Sequence, residues 1–539
     1  MQFEELKNII QGETSSDEKE IFVFSRDASI FEIRPSFIVK PKNTADLKTL
    51  VRFVSEKDGV SLTARSGGTD MTGGPLSESI VLDFTTHFNK ILEVGDDYAI
   101  TEPGVFYRDF EKETLKKNLL LPSYPASREI CTVGGMVANN AGGEKSLKYG
   151  QTTNYVRGLN VVLSDGNEYY LESLNQEELE NKKGLDSFEG KIYREIHELL
   201  ESNFELIQKA KPNVSKNSAG YALWDIWNRD KFDLSKLFVG SQGTLGLITQ
   251  IRFNLIKPNK HSSLLVLFLK DLKGLGELVN VVNSYRPESF ESYDDNTFRL
   301  APKMLPGLVK KLGIGFLFRF IPDLWAIITG GIPKLVMLVE FSGDNMKEVS
   351  DTVEKCHKEV LSKFAIKALV DNNSNNNQKY LIMRRESFNL LRKYVGGKRT
   401  APFIDDFIVR PEFLPEFLPR LNEILNQYKD YMIYTIAGHP GDGNFHIIPL
   451  MDLSDDKARQ IIPELSYKVY ELVLSYKGSI TAEHNDGLIR TPYLEKMYGR
   501  EVYSLFEKTK QIFDPKNIFN PRKKVNADIV YNNAHILRK

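Results

Sequence analysis

The sequence predicts an α+β protein of more than one domain, and three observations carry that expectation. The chain has 539 residues, more than a single hydrophobic core usually organises. Its first half sets short strands directly beside loops rich in Gly, Ser and Thr. Its second half, after Pro258, alternates strands with amphipathic helices, the pattern of an antiparallel sheet covered by helices.

Taken in order, residues 1–20 read as an amphipathic or frayed leader. Phe37-Ile38-Val39 is a short strand that ends at Pro41. Asn43-Thr44-Ala45-Asp46 starts a helix with Leu47, Leu50, Val51 and Val54 at helical spacing, and Gly59 closes it. Val60 to Ala64 is the next strand, which makes a β-α-β unit. It runs into Arg65-Ser66-Gly67-Gly68-Thr69-Asp70-Met71-Thr72-Gly73-Gly74, after which Ser79 to Phe84 is again a strand. A Gly-rich loop after a strand lets backbone N–H groups approach a phosphate. This one has neither the Lys of a P-loop nor Rossmann spacing.

Pro122 to Gly143 is a second small-residue stretch, and Val239 to Ile248 a third, placed just before a strand ending near Leu255. Short side chains let backbone and hydroxyls lie flat against a large planar ligand. Three such loops, each beside a strand, point to one extended ligand touched by all three. Beyond Pro258 the expected elements are a strand at Leu264–Leu269, a helix at Leu272–Ser284 and a strand at Ser289–Tyr293. A strand at Leu335–Phe341, a helix at Met346–Phe364 and a helix at Leu465–Tyr476 follow.

Chemistry concentrates in Gly438-His439-Pro440-Gly441-Asp442-Gly443-Asn444-Phe445-His446 and in Glu483-His484. These hold three of the eight histidines of the chain. Strand-like runs flank the Pro-Gly-Asp-Gly turn, so the chain folds back and the two imidazoles can meet across a hairpin. A carboxylate from elsewhere, with Glu483 as the candidate, completes a two-His, one-carboxylate metal face with open positions. His484 is then left free to act as a base.

The totals exclude several classes. With 71 basic and 72 acidic side chains the net charge is -1, which gives no electrostatic case for binding nucleic acid. Two cysteines, Cys131 and Cys356, cannot build a disulfide framework or hold an iron–sulfur cluster, and they fit a reducing compartment. The first twenty residues are polar and acidic, without a signal-peptide pattern, and no apolar run is long enough to span a bilayer. The expected location is cytoplasmic. One segment, Lys303 to Lys334, is rich in Leu, Ile, Phe and Gly, with Lys310, Lys311 and Arg319 among its cations. It reads either as a peripheral membrane-surface segment or as a lid over the site, and Asp323 and the Pro and Gly breaks interrupt its apolar face.

In their order along the chain these motifs resemble the FAD-linked 2-hydroxyacid dehydrogenases, flavoproteins of the vanillyl-alcohol-oxidase (PCMH) type that include D-lactate, D-2-hydroxyglutarate and glycolate dehydrogenases. The resemblance runs over about residues 33–525. It rests on the Arg65 loop, Pro125-Ala126-Ser127, Thr132-Val133-Gly134-Gly135, Asn140-Ala141-Gly142-Gly143 and Gly240-Ser241-Gln242-Gly243-Thr244-Leu245-Gly246. The histidine hairpin, Glu483-His484-Asn485-Asp486-Gly487, Phe513-Asp514-Pro515 and Asn520-Pro521 complete it.

The resemblance implies a two-subdomain FAD-binding domain over 31–257, after a leader at 1–30. It implies a ferredoxin-like substrate domain over 258–505 with an insertion near 303–334, and a C-terminal segment, 506–539, returning to the FAD domain. Implied FAD contacts are Arg65, Ser66, Gly67, Gly68, Thr69, Asp70, Thr72 and Gly73 in the first loop. In the second they are Pro125, Ala126, Ser127, Thr132, Gly134, Gly135, Ala138, Asn139, Asn140 and Gly142. Gly243, Thr244, Gly246, Ile248 and Asn520 complete the set. Thr69 stands where relatives with covalent flavin carry histidine, which implies non-covalent FAD. The implied metal ligands are His439, His446 and Glu483, for zinc, with manganese or iron as alternatives. His484 is the implied base, neutral near pH 7, and Arg385, with Arg384 as its neighbour and competitor, the implied clamp on the substrate carboxylate.

Two departures, Ile448 in place of an asparagine and Asn389 in place of a threonine, count against a hydroxyglutarate pocket. The chain also stops at Lys539 without the iron–sulfur domain that some large relatives carry. The expected reaction is oxidation of a D-2-hydroxy acid to the 2-oxo acid, with electrons passed to a quinone, an electron-transfer flavoprotein or a separate iron–sulfur protein. The alternatives are a metal-independent FAD oxidase of a sugar or alcohol, and a non-catalytic membrane-associated electron-transfer subunit.

Overall fold

The computed structural model describes residues 3–295, 331–371 and 398–538. Arg384, Arg385 and Asn389, and most of the 303–334 segment, lie outside the described residues.

The β-α-β start folds as its pattern dictates. Strands Phe37–Lys40, Ile80–Asp83 and Leu62–Arg65 are parallel neighbours. Between the first and last of these in the chain runs helix Thr44–Ser55, capped by the Asn43 side chain on the Asp46 N–H. Its Leu47, Leu50, Val51 and Val54 are fully buried against the sheet, the single apolar face that helical spacing produces.

The leader is not a frayed extension. Glu13–Ser15 pairs antiparallel with Phe37–Lys40 as a fourth strand, and Leu6 is buried in the same core as Leu47 and Val51. Its few apolar residues sit at positions that one helix can bury, so the segment belongs to the first subdomain.

A six-stranded antiparallel sheet forms the second subdomain, in the order Ile91–Val94, Tyr98–Thr101, Leu247–Asn254, Val156–Val162, Glu168–Leu174 and Phe232–Asp233. The C-terminal segment closes on both subdomains. Phe519 bridges to Leu62, and the buried Lys510 donates to the carbonyls of Thr244 and Phe519.

The third sheet is antiparallel. Its strands His261–Leu269, Ser289–Asp294, Leu335–Gly343 and Lys367–Asp371 are joined through helices Leu275–Ser284 and Met346–Lys363. They lie side by side with the fourth at the edge, then the first, third and second. This is the ferredoxin-like arrangement. Hairpin Met432–His439 and Asn444–Met451 extends it beyond Ser289–Asp294. Among the described residues, no helix is long and apolar enough to cross a membrane.

Candidate active site

Two neighbouring features make up the site: a cleft lined by backbone and small side chains, and a buried cluster of charged ones. Ser66, Gly67, Gly68, Thr69 and Asp70 line one wall of the cleft, together with Arg65. Thr132, Gly134, Gly135, Ala138 and Asn139 line the second, and Gly243, Gly246 and Ile248 the third. The three loops therefore do meet. Close approach explains the glycines. A Cβ on Gly67 would lie 2.8 Å from the Ile130 carbonyl oxygen, and one on Gly134 2.4 Å from Pro103 Cβ.

Other expected contacts are held in place by bonds within the protein. The Arg65 guanidinium turns away and donates to the Phe24 and Arg26 carbonyls. Thr72 donates to Asp70, Thr244 bonds Tyr221, and Asn520 donates to the Gly74 and Gln242 carbonyls. Asn140 takes a left-handed conformation that ends helix Val133–Asn139. Pro125 and Ser127 accept backbone bonds in a tight turn, with Ala126 between them. Gly73 donates to Asp27, and Gly142 lies against Glu483.

The histidine cluster follows from hairpin register. Ala437 faces His446 and His439 faces Asn444, so both imidazoles project from one face of the sheet. Their ring centroids are 5.3 Å apart with the planes perpendicular. The turn needs glycine at Gly443, where φ is +76° and a Cβ would overlap the Val409 carbonyl. Glu483 arrives from a distant loop. Its Oε1 lies 3.5 Å from His439 Nε2 and its Oε2 4.0 Å from His446 Nε2. All three side chains are buried, and one ligand atom from each falls within a 4.8 Å set.

The outer ring nitrogens are already spoken for. His446 Nδ1 donates to the Asp405 carbonyl at 3.0 Å, and His439 Nδ1 is bonded to the Glu291 carboxylate. Both Nε2 atoms are thereby aimed at Glu483, as in metal-binding histidines whose other ring nitrogen is held by a carboxylate or carbonyl. Burial, then the nearby His484 and His439 charges, lowers His446 to about 4, so it is neutral at ordinary pH. Burial would also lower His439, but the Glu291 carboxylate outweighs it and holds that ring up at about 9. The Glu483 carboxyl, which burial alone would raise, is held well below the usual range by Lys216 and then by the histidines.

His484 stacks on His446, ring centroids 4.9 Å apart, and its Nδ1 bonds Asp405 Oδ2 at 2.6 Å. The expectation of a neutral His484 near pH 7 is not met by the protein groups alone. Burial would lower it, yet Asp405 and Asp406 raise it to about 9.

Sequence reading missed the groups that assemble this loop. Asp406 Oδ2 accepts from the Thr481 hydroxyl and from the N–H groups of Ala482, Glu483 and His484 at 2.7–3.0 Å. Its other oxygen accepts from Asn444 in the hairpin. Asp405 pairs with the fully buried Arg490. One signal was present: Asp405-Asp406 interrupts an apolar run, Phe403-Ile404 before and Phe407-Ile408 after. Glu291 and Lys216 gave none.

Cleft and cluster share walls. Asn485 donates to the carbonyls of Asn139 and Gly240, Gly487 N–H donates to Gln242, and Gln151 donates to both Asn140 and Ala482 carbonyls.

Comparison with known proteins agrees with both halves. Residues 35–171 match the family model described as FAD binding domain, and residues 258–524 match FAD linked oxidases, C-terminal domain. A D-2-hydroxyglutarate dehydrogenase of Pseudomonas putida is 27% identical over 523 residues, 95% of this chain and 50% of the relative. The chain thus spans about half the length of that relative. A D-lactate dehydrogenase of Archaeoglobus fulgidus is 26% identical, covering 90% of this chain and 91% of its own. Among solved structures, a 4-ethylphenol oxidase from Gulosibacter chungangensis superposes with a TM-score of 0.70 at 14% identity, over 97% of this chain and 96% of that one. At that identity the likeness shows the fold alone.

Proposed function

The chain belongs to the FAD-linked oxidases, with an FAD-binding domain followed by an FAD-linked oxidase C-terminal domain, and we propose that it oxidises a small D-2-hydroxy acid to the 2-oxo acid. The observation that carries this reading is the tripod of His439, His446 and Glu483 beside the cleft. Both Nε2 atoms face the carboxylate because both Nδ1 atoms are occupied. That donor set fits a divalent cation of the zinc class.

When bound, a divalent cation held by His439, His446 and Glu483 would make an adjacent hydroxyl more acidic, and FAD in the cleft would supply an acceptor for two electrons and a hydrogen. The residues of the chain do the rest. His484 takes the hydroxyl proton at Nε2, the nitrogen left over once Asp405 holds Nδ1. Asp405 fixes the ring orientation and is itself fixed by Arg490. Positive charge in the tripod, next to the ring stacked on His484, opposes the pull of Asp405 and Asp406 and favours the neutral base. Arg385 is proposed to hold the substrate carboxylate in a bidentate pair.

Ile448 supports an uncharged substituent on the substrate. It lies two residues beyond His446 on the same strand, hence on the same face, and is buried. A second carboxylate beside it would lose hydration without gaining a partner.

The test is anaerobic bleaching of the FAD-loaded protein against D- and L-2-hydroxy acids. D-lactate is expected to reduce the flavin faster than D-2-hydroxyglutarate and faster than L-lactate. No bleaching by any hydroxy acid would reject the proposal.

A further inference from the structure

A buried lysine sits directly against the tripod. Lys216 is 1% exposed, and its Nζ bonds Glu483 Oε1 and pairs with Asp442 Oδ2 at 3.1 Å. It comes from the FAD-binding half of the chain, after helix Phe204–Ala210, and Asp442 lies in the turn between the two histidines. One ammonium therefore joins a putting-together of three segments far apart in sequence. It also competes for the Glu483 carboxylate. Oε1 is shared between Lys216 and His439 Nε2, 3.5 Å away, with Gly142 close on that side, where a Cβ would stand 3.3 Å away. Oε2 faces His446 Nε2 at 4.0 Å.

Two buried carboxylates without a cation are costly to keep ionised. Lys216 meets that need before any metal arrives, so the tripod stays formed when empty. The same ammonium then shares a carboxylate with whatever cation binds, and like charges this close repel in a buried site. We propose that Lys216 is a positioning residue that keeps the empty tripod assembled, competes with a bound cation for Oε1 of Glu483, and holds the affinity for divalent cations below what the three ligands would otherwise reach. This rests on the cation reading above.

The test compares metal-stripped wild type, Lys216→Met and Lys216→Arg by zinc titration against a chromophoric chelator, and by thermal unfolding with and without zinc. Lys216→Met is expected to bind zinc tighter by about tenfold or more. Its melting temperature should be lower than wild type without zinc and rise further on adding it. Lys216→Arg should return both readings toward wild type. A purely structural role predicts the opposite sign, because a loosened tripod binds metal more weakly. If Lys216→Met folds only with zinc, slower zinc loss to excess chelator than in wild type carries the same expectation. Wild type that binds zinc through His439 while Lys216→Met binds it equally or more weakly overturns the proposal alone. Wild type whose zinc binding is absent, or unchanged by His439→Ala, overturns the cation reading and this proposal with it.

Discussion

The cleft and the cluster lie side by side but are built on different principles. The cleft takes its shape from backbone: loops whose glycines and small hydroxyls let the chain come close, with the buried Arg65 guanidinium bonded to the Phe24 and Arg26 carbonyls. The cluster takes its shape from side-chain charge. His439, His446, Glu483, His484, Lys216, Glu291, Asp405, Asp406 and Arg490 come from six separate stretches and hold one another in place. A backbone cradle suits a large ligand recognised by its outline. A preorganised ionic cluster suits chemistry in which a proton and a charge must move at one spot.

If that division is sound, each half can be disabled while the other survives. The largest effect is expected from His484→Ala. It removes the proposed base without touching the three glycine-bearing walls, so the protein should stay yellow and FAD-loaded. Reduction of the flavin by the best hydroxy acid should slow by roughly 10²–10⁴-fold, the usual worth of a general base. Stopped-flow absorbance would measure it, and near wild-type bleaching would remove His484 from the mechanism.

Gly68→Ala is the converse and has a smaller effect. Gly68 has φ +63°, and a Cβ there would lie 2.6 Å from Arg65 Nη2, a group pinned by two carbonyls. The left-handed conformation alone costs a non-glycine residue about 1 kcal/mol. FAD affinity should fall by about tenfold, read by flavin release on dilution, while zinc binding by the tripod stays as in wild type. Loss of zinc binding in this variant would show the two halves to be one cooperative unit.

The same contrast explains what was legible in the sequence. Strand Phe37–Lys40, helix Thr44–Ser55 and the loops after them are local: spacing, a cap and a run of small residues announce them within a dozen positions. The histidine hairpin was legible for the same reason, since its turn and both strands are contiguous. Glu483 and His484 were reached through their resemblance to a known family and through the chemistry a tripod needs. Lys216, Glu291 and Arg490 were not visible, because a charged residue in sequence carries no mark of the partner it will meet 85 or 267 positions away. Of the two readings of the leader, the amphipathic one fits, since Leu6 is buried in the first subdomain, while Glu13–Ser15 gives no strand signal until an edge is present for it to join.

The smallest effect on flavin reduction is expected from a charge beneath the cleft, which is read through stability instead. Asp27 accepts from Ser29 and from the Gly73 N–H, just behind the loop that ends in Asp70. Burial, then the Asp70 charge, raises its carboxyl from 3.8 to about 7. The folded protein therefore holds this proton more tightly than the unfolded chain does. The stability it contributes is full below the unfolded value and is lost as pH rises through about 7. Asp27→Asn cannot ionise, so its stability relative to wild type should improve as pH rises from about 4 to 8, by up to about 4 kcal/mol at about 1.4 kcal/mol for each pH unit between 3.8 and about 7. A constant offset at all pH values would mean that Asp27 titrates in the folded protein as it does in the unfolded chain, and that no proton is held behind the first loop.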